Sequence, residues 1–250
     1  MTQPSPTATI QAQLIVLAKA PVPGRVKTRL TPPFTPQEAA MLAGAALADT
    51  LEAGASALFA RHTLALDDQR AAPGVLRAEL PARFEVTAQR GKGLDERIAA
   101  AFDDAYAQLA LPIVLIGMDT PQVTPGLLET VAHPLAAGEA DAVFGPAEDG
   151  GFWLLGLRRP DPELILGVPM SADHTGRVQL DRLRDAGLRV RQVPELLDVD
   201  TAADAERVAR QAPGSRFTAT LASLLPADRA QPALTGRHHQ VRPAPAAAIG

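Results

Sequence analysis

Apolar residues in this chain fall into short continuous runs, separated by stretches in which they recur every three or four positions, so strands and helices alternate. Leu14-Ile15-Val16-Leu17-Ala18 is the first run. Thr35-Pro36-Gln37-Glu38 has the form of a capping box with proline at the first helical position. With Ala39, Ala40, Met41, Leu42 and Leu47 behind it, it predicts a helix to about Ala53, stopped by Gly54. His62 to Leu66 and Phe84 to Thr87 read as short strands, and from Leu94 the positions Ile98, Ala101, Phe102, Ala105 and Leu109 keep helical spacing. Leu111 to Gly117 is almost continuously apolar, the pattern of a strand covered on both faces of a parallel sheet. Thr124 and Pro125 open another helix, while Asp141 to Pro146 and Phe152 to Leu157 are again strand-like. Thr175 to Ala186 is helical through Val178, Leu180 and Leu183, Leu188 to Val193 alternates as an edge strand does, and Thr201 to Asp204 caps a last regular helix.

This alternation predicts an α/β fold, with a mostly parallel central sheet and helices on both faces. One domain is expected over residues 13–225. Met1 to Ala12 has the composition of a disordered leader, and residues 226–250 that of a Pro/Ala-rich tail in which His238 and His239 face solvent. No repeat of fixed period is visible.

The polar residues matter most where the first run ends. Lys19-Ala20-Pro21-Val22-Pro23-Gly24-Arg25-Val26-Lys27-Thr28-Arg29-Leu30 is a loop in which Pro21 and Pro23 fix φ and Gly24 permits a left-handed turn, so its shape is stiff. Lys19, Arg25, Lys27 and Arg29 place four cations within eleven residues. They repel one another unless an anion sits among them, and a phosphate group is the natural one; the plainer alternative is a solvated basic loop. A Walker A loop is excluded, because its lysine directly follows a glycine and Lys27 follows Val26.

In a parallel sheet the carboxyl ends of the strands share one edge, where ligands gather. Asp119 follows the long apolar strand, Glu148-Asp149-Gly150-Gly151 follows the next, and Asp198-Val199-Asp200 follows the late edge strand. Taken singly, each aspartate is equally a cap or a turn residue. Taken together, Asp119 and Asp200, with Asp198 beside them, form an oxygen-only set suited to Mg2+ or Mn2+ opposite a phosphate loop. Gly150 and Gly151 let a backbone approach a ligand, or simply turn a hairpin. His174 contacts an acceptor or belongs to a plain helix cap, and Phe152 and Trp153 read as core before they read as stacking platforms.

The 250 residues, 46% hydrophobic and 21% charged, are enough to bury a full core. A formal net charge of −4 removes the overall positive field that a nucleic-acid binder uses, so the loop cations are a local device. No cysteine is present, which excludes disulfides and thiolate metal sites. No apolar run approaches a membrane span, and the first residues lack the order of a signal peptide, so a cytoplasmic protein without membrane or nucleic-acid partners is expected.

The segments Lys19 to Leu30, Gly145-Pro146-Ala147-Glu148-Asp149-Gly150-Gly151 and Asp198-Val199-Asp200-Thr201 resemble the GT-A-like nucleotide-diphospho-sugar transferase family often labelled arsenosugar-biosynthesis glycosyltransferase. More distantly, they are similar to phospholactate guanylyltransferases. The resemblance spans roughly Leu14 to Val208 and implies a Rossmann-like GT-A fold that binds a nucleotide with Mg2+. On it, Lys19, Arg25, Lys27 and Arg29, on the loop turned by Gly24, hold the phosphates. Asp119 and Asp200 hold the metal, and Asp198-Val199-Asp200 could act as a metal clamp. Gln89, Gly91 and Gly93 lie near the base, while Asp149, Gly150 and Gly151 face the acceptor. The expected activity is a Mg2+-dependent nucleotidyl transfer from a nucleoside triphosphate to a small phosphorylated or oxyanion acceptor, with Arg25, Lys27 and Asp119 as the catalytic groups. The alternatives are a glycosyltransferase with a sugar-nucleotide donor and a non-catalytic nucleotide-binding module.

Overall fold

The structure, a computed structural model, describes residues 9–68 and 80–225. Among the described residues seven strands form one sheet: β1 (Ile10–Ala18), β2 (Phe59–Leu66), β3 (Phe84–Ala88), β4 (Ile113–Gly117), β5 (Ala142–Pro146), β6 (Phe152–Leu157) and β7 (Val190–Gln192). Their order is β3-β2-β1-β4-β6-β5-β7. β6 pairs antiparallel with both β4 and β5, and every other pairing is parallel. The chain therefore steps outward from β1 to β2 and β3, then returns to lay β4 on β1's other side. The place where the order reverses is the gap between the loops after β1 and β4.

The described residues hold six α-helices, α1 (Pro36–Ser56), α2 (Leu94–Gln108), α3 (Pro125–Ala136), α4 (Thr175–Asp185), α5 (Ala202–Gln211) and α6 (Arg216–Leu224); the first four lie between strands and the last two follow β7. Three of the expected helix starts are capped as their residues dictate. Thr35 and Thr201 form capping boxes with Glu38 and Asp204, and the Thr124 side chain accepts from Leu127 N. One face of the sheet packs on α1 and α3 through Leu47, Leu51, Leu128 and Leu135. The other packs on α2 and α4 through Ile98, Phe102 and Leu183. Phe102 is 1% exposed at the centre of that second layer, and its truncation to alanine is expected to cost roughly 3–5 kcal/mol.

Three expectations shift. The first strand begins at Ile10, with Ile10 and Ala12 buried, so those residues are sheet and not leader. α1 runs through Gly54 to Ser56. Gly54 is there for close packing: a Cβ would stand 2.8 Å from a Leu14 methyl and 2.9 Å from the Phe84 ring. α6 lies where periodicity fades. It is capped by Ser215, its first amides are held by the Asp49 carboxylate at 2.9 and 2.8 Å, and it buries Phe217 and Leu221 against α1 and α5. Finally, residues 1–8 of the expected leader, and the expected tail with His238 and His239, lie outside the described residues. No helix among the described residues is long and apolar enough to cross a membrane.

Candidate functional site

The site lies at the reversal of strand order, where ligands collect in open α/β sheets. A cleft of about 410 Å³ opens there. The loop after β1 is pinned by what it buries: Val26 is 3% and Leu30 0% exposed, so Arg25, Lys27 and Arg29 are left pointing out of the core. Gly24 (φ 76°) makes the left-handed turn, and the backbone closes through Arg25 N to Val22 O at 3.0 Å. Lys27 itself is left-handed (φ 46°), a conformation costing about 1 kcal/mol for a residue with a side chain. Its ammonium contacts offset that cost. Nζ lies 2.5 Å from Asp119 Oδ2 and 3.0 Å from Asp200 Oδ1, with the side chain only 11% exposed.

Asp119 stands two residues past β4, between buried Met118 and Thr120. The two later aspartates reach it through an extended segment. Leu197 and Val199 bury themselves beside α1 and α5, which turns Asp198 and Asp200 together toward the cleft, as alternation in an extended chain requires. Val199 N donates to Asp119 O at 3.1 Å, and Gln122 Nε2 to Leu197 O at 2.6 Å, so the backbone sets the spacing of the three carboxylates. Trp153 Nε1 donates to Pro194 O at 3.0 Å. Trp153 thus anchors the incoming segment and is core, 3% exposed.

Charge in this cluster is out of balance. Burial alone would push the Lys27 ammonium down, but Asp119 and Asp200 hold it raised above its ordinary value. Burial would lift Asp200, and Lys27 with Arg29 (Nη1 to Oδ2, 3.1 Å) pulls it below the ordinary carboxylate value. Asp198 is pushed up to about 7 by burial and by the charges of Asp119, Asp149 and Asp200, against the opposing effect of Lys27. Its Oδ1 is buried with no hydrogen-bond partner. Asp119, Asp198 and Asp200 each place one carboxylate oxygen within 4.8 Å of the others. Three hard oxygen donors, one buried and unsatisfied, with a resident ammonium already serving as their counter-cation, fit a divalent ion such as Mg2+ or Mn2+.

The structure brings most of the expected residues to the cleft and alters the part several play. Lys19, Arg25, Lys27 and Arg29 all line it, as do Asp119, Asp198 and Asp200. The loop cations do not depend on a foreign anion, however: Arg25 pairs with Asp68 at 3.1 Å, and Lys27 and Arg29 with the site's own aspartates. Gln89 also lines the cleft, but its amide nitrogen donates to Ala18 O and Ala65 O, both at 2.9 Å, so it ties the ends of β1 and β2 together. Gly24, Gly91, Gly93, Gly150 and His174 are not part of the cleft lining. Gly91 (φ 116°) and Gly93 shape the entry to α2, where Gly93 is the N-terminal cap. Asp149 and Gly151 are in the lining, within the β5–β6 hairpin turn. Gly150 is needed because its own chain comes close: a Cβ there would stand 1.9 Å from Asp173 O. His174 is exposed, with its Nδ1 at 3.0 Å from Oδ1 of its neighbour Asp173. Arg97 on α2 and Met170 before α4 are among the lining residues that the sequence reading does not assign to the site. Neither carries a motif; only the position of Arg97 in the first turns of a helix that starts at the ligand edge marks it.

Set beside known proteins, the chain matches the profile of a family described as "Uncharacterized protein conserved in bacteria (DUF2064)" over residues 50–172. No curated protein matches it. Among solved structures it is similar to a Desulfovibrio desulfuricans G20 protein provisionally assigned as a nucleotide-diphospho-sugar transferase. The two are 28% identical over 85% of this chain and 94% of that one, with a TM-score of 0.77. Rv0371c of Mycobacterium tuberculosis H37Rv is 25% identical over 82% of this chain and 100% of its own, TM-score 0.52. The CMP:2-keto-3-deoxy-manno-octonic acid synthetase complexed with CTP is 14% identical over 81% of this chain and 98% of its own, TM-score 0.54, a likeness of fold alone. The Rossmann-like α/β fold and the resemblance to GT-A-like nucleotide-diphospho-sugar transferases thus stand on structure as well as on motifs.

Proposed function

We propose that the protein is a nucleotidyltransferase that moves a nucleoside monophosphate from a nucleoside triphosphate onto a small phosphorylated or oxyanion acceptor. The observation that carries this reading is the convergence of Lys27 with Asp119, Asp198 and Asp200 in a cleft at the reversal of strand order. An oxygen of the acceptor attacks the α-phosphorus, the bond from that phosphorus to the bridging oxygen breaks, and pyrophosphate leaves with the electron pair. Asp119, Asp198 and Asp200 would hold Mg2+ or Mn2+, which when bound would neutralise them in place of Lys27 and offset charge on the phosphates. Lys27 and Arg29 would then turn from carboxylate to phosphate oxygens, and Lys19 would add a third cation. No nucleophilic side chain is needed, since positioning and electrostatics supply the acceleration. The test is incubation with each nucleoside triphosphate, Mg2+ and a panel of phosphorylated acids and sugars. Pyrophosphate release with one combination is expected, and silence across the panel counts against the reading.

A second reading is supported by Asp198 and Asp200 facing the cleft together, and by the 28% identity to a provisionally assigned nucleotide-diphospho-sugar transferase. It is glycosyl transfer from a sugar nucleotide, with Asp198-Val199-Asp200 on the diphosphate. Thermal stabilisation by sugar nucleotides and not by triphosphates would favour it. Nucleotide binding that survives Asp119→Ala and Asp200→Ala, with no turnover in any assay, would instead mark a binding module.

A further inference from the structure

Among the described residues, α6 contributes no buried side chain to either of the two layers packed on the sheet. Its buried residues, Phe217 and Leu221, belong instead to an apolar cluster that includes Leu30, Leu197 and Val199. Those three are the buried anchors of the site's two chain segments: Leu30 ends the cationic loop, and Leu197 and Val199 bracket Asp198 and lead into Asp200. Besides α1 and α5, what α6 packs on is therefore the scaffolding of the site. Within the cluster Phe217 is placed differently from Leu221. It lines a gap too narrow for a water molecule, together with Lys27, Met118, Asp119 and Val199, and Leu221 does not. Phe217 is fully buried and held by its backbone as well: its N–H donates to Asp49 Oδ2 at 2.8 Å, beside Arg216 N on Oδ1 at 2.9 Å. A ring fixed to α1 in this way cannot follow a movement of the loop or of the late segment, so it limits both.

We infer that Phe217 is a positioning residue for the divalent-ion site: it sets the spacing between Asp119 and the Asp198–Asp200 segment and keeps water from entering beneath them. This rests on the reading of those three carboxylates as ligands of Mg2+ or Mn2+. Three like charges repel one another, so the spacing that a cation needs has to be imposed from outside the cluster. The bond from Val199 N to Asp119 O at 3.1 Å imposes it at one point, through the backbone. Phe217 supplies a second point, through the side chain of Val199 and the wall it shares with Asp119. A floor too tight for water also leaves the attraction between carboxylates and ion unscreened from below. The site thus depends on a helix that begins 97 positions after Asp119 and carries none of its ligands.

A calorimetric Mn2+ titration of the full chain without nucleotide tests this, beside urea unfolding in chelator. Phe217→Ala should weaken Mn2+ binding by about 10- to 100-fold, the cost of removing a support behind a metal ligand. Phe217→Leu refills most of the space and should weaken binding less; it carries the test if the alanine variant does not fold. Leu221→Ala, one turn along the same helix, should lower the urea midpoint yet leave Mn2+ binding within about twofold of wild type, since Leu221 does not reach the gap. Lys27 competes with the ion for the same carboxylates, so the loss from Phe217→Ala should persist when Lys27→Met is added. Mn2+ binding that both Phe217 variants leave unchanged or tighten overturns the inference. So does an equal loss from Leu221→Ala, or a loss that vanishes once Lys27 is gone. Wild type that binds no Mn2+ overturns the metal reading itself, and this inference with it.

Discussion

Two clusters of aspartate and basic side chains stand at opposite ends of the strands, and their charge balances are reversed. At the amino end of β5 and β7, a single carboxylate, Asp141, receives Arg189 N, Nε and Nη2 at 3.1, 2.8 and 2.9 Å, with Arg158 at 3.8 Å. Hydrogen bonds from Arg189 pull it down to about 2. At the carboxyl end, three carboxylates share Lys27 and Arg29, Asp198 is pushed up to about 7, and one of its oxygens has no partner. The first cluster is saturated and staples β5 to β7. The second carries surplus negative charge in a cleft, an arrangement that a bound cation completes. The presence of a salt bridge says little; the balance within the cluster separates a structural role from a chemical one.

The largest expected effect tests that division directly. Asp119→Asn should lower pyrophosphate release by roughly 10³-fold while the protein stays folded, the scale on which removal of a transition-state electrostatic group is felt. Asp141→Asn should leave turnover within about twofold. Equal losses from the two would erase the distinction.

Next in size is Lys27→Met. Taking one partner from a largely buried ion pair leaves Asp119 and Asp200 facing each other and Asp198, so the variant should lose about 3 kcal/mol in chelator. Millimolar Mg2+ should return most of that loss and stabilise wild type far less, since wild type already carries its own cation there. Urea unfolding with and without Mg2+ measures both. A variant as stable as wild type in chelator would mean that Lys27 does not neutralise the cluster.

Asp198→Asn should move stability and function in opposite directions. Removing one of three crowded like charges is expected to stabilise the metal-free protein by about 1 kcal/mol at pH 8, and to weaken divalent-ion binding. Chelator-treated unfolding and a Mn2+ titration report the two sides. Destabilisation would show that Asp198 is a structural acceptor.

The sequence made one half of this comparison legible and hid the other. Asp119 stands out because the apolar run before it permits no other reading than a buried strand, and the loop cations stand out by type. The pairing of those cations does not, because Lys27 meets partners 92 and 173 positions away. Glycines mislead for a related reason. Gly150, whose Cβ would lie 1.9 Å from Asp173 O, looks in sequence like a position cleared for a ligand, yet it is cleared for the chain's own backbone. α6 was invisible because Phe217 and Leu221 supply its whole buried face, too few apolar positions to show a period.

The smallest effect belongs to the saturated cluster, and its sign follows from the shift. Asp141 titrates near 2 in the folded protein against an ordinary value of 3.8, so the unfolded chain takes up its proton first as pH falls. Its contribution is complete above about pH 4 and is lost as pH falls through 2. Other carboxylates titrate in the same window in both proteins, so the informative quantity is the difference between wild type and Asp141→Asn. That difference should be under about 1 kcal/mol at pH 7, because the partners are half-exposed guanidiniums screened by solvent. It should shrink toward zero between pH 4 and pH 2, read from urea midpoints at each pH. A difference that stays constant over this range would mean that the Asp141–Arg189 pair holds the strands by geometry alone, and the contrast between the two ends of the sheet would then rest on the carboxyl-end cluster by itself.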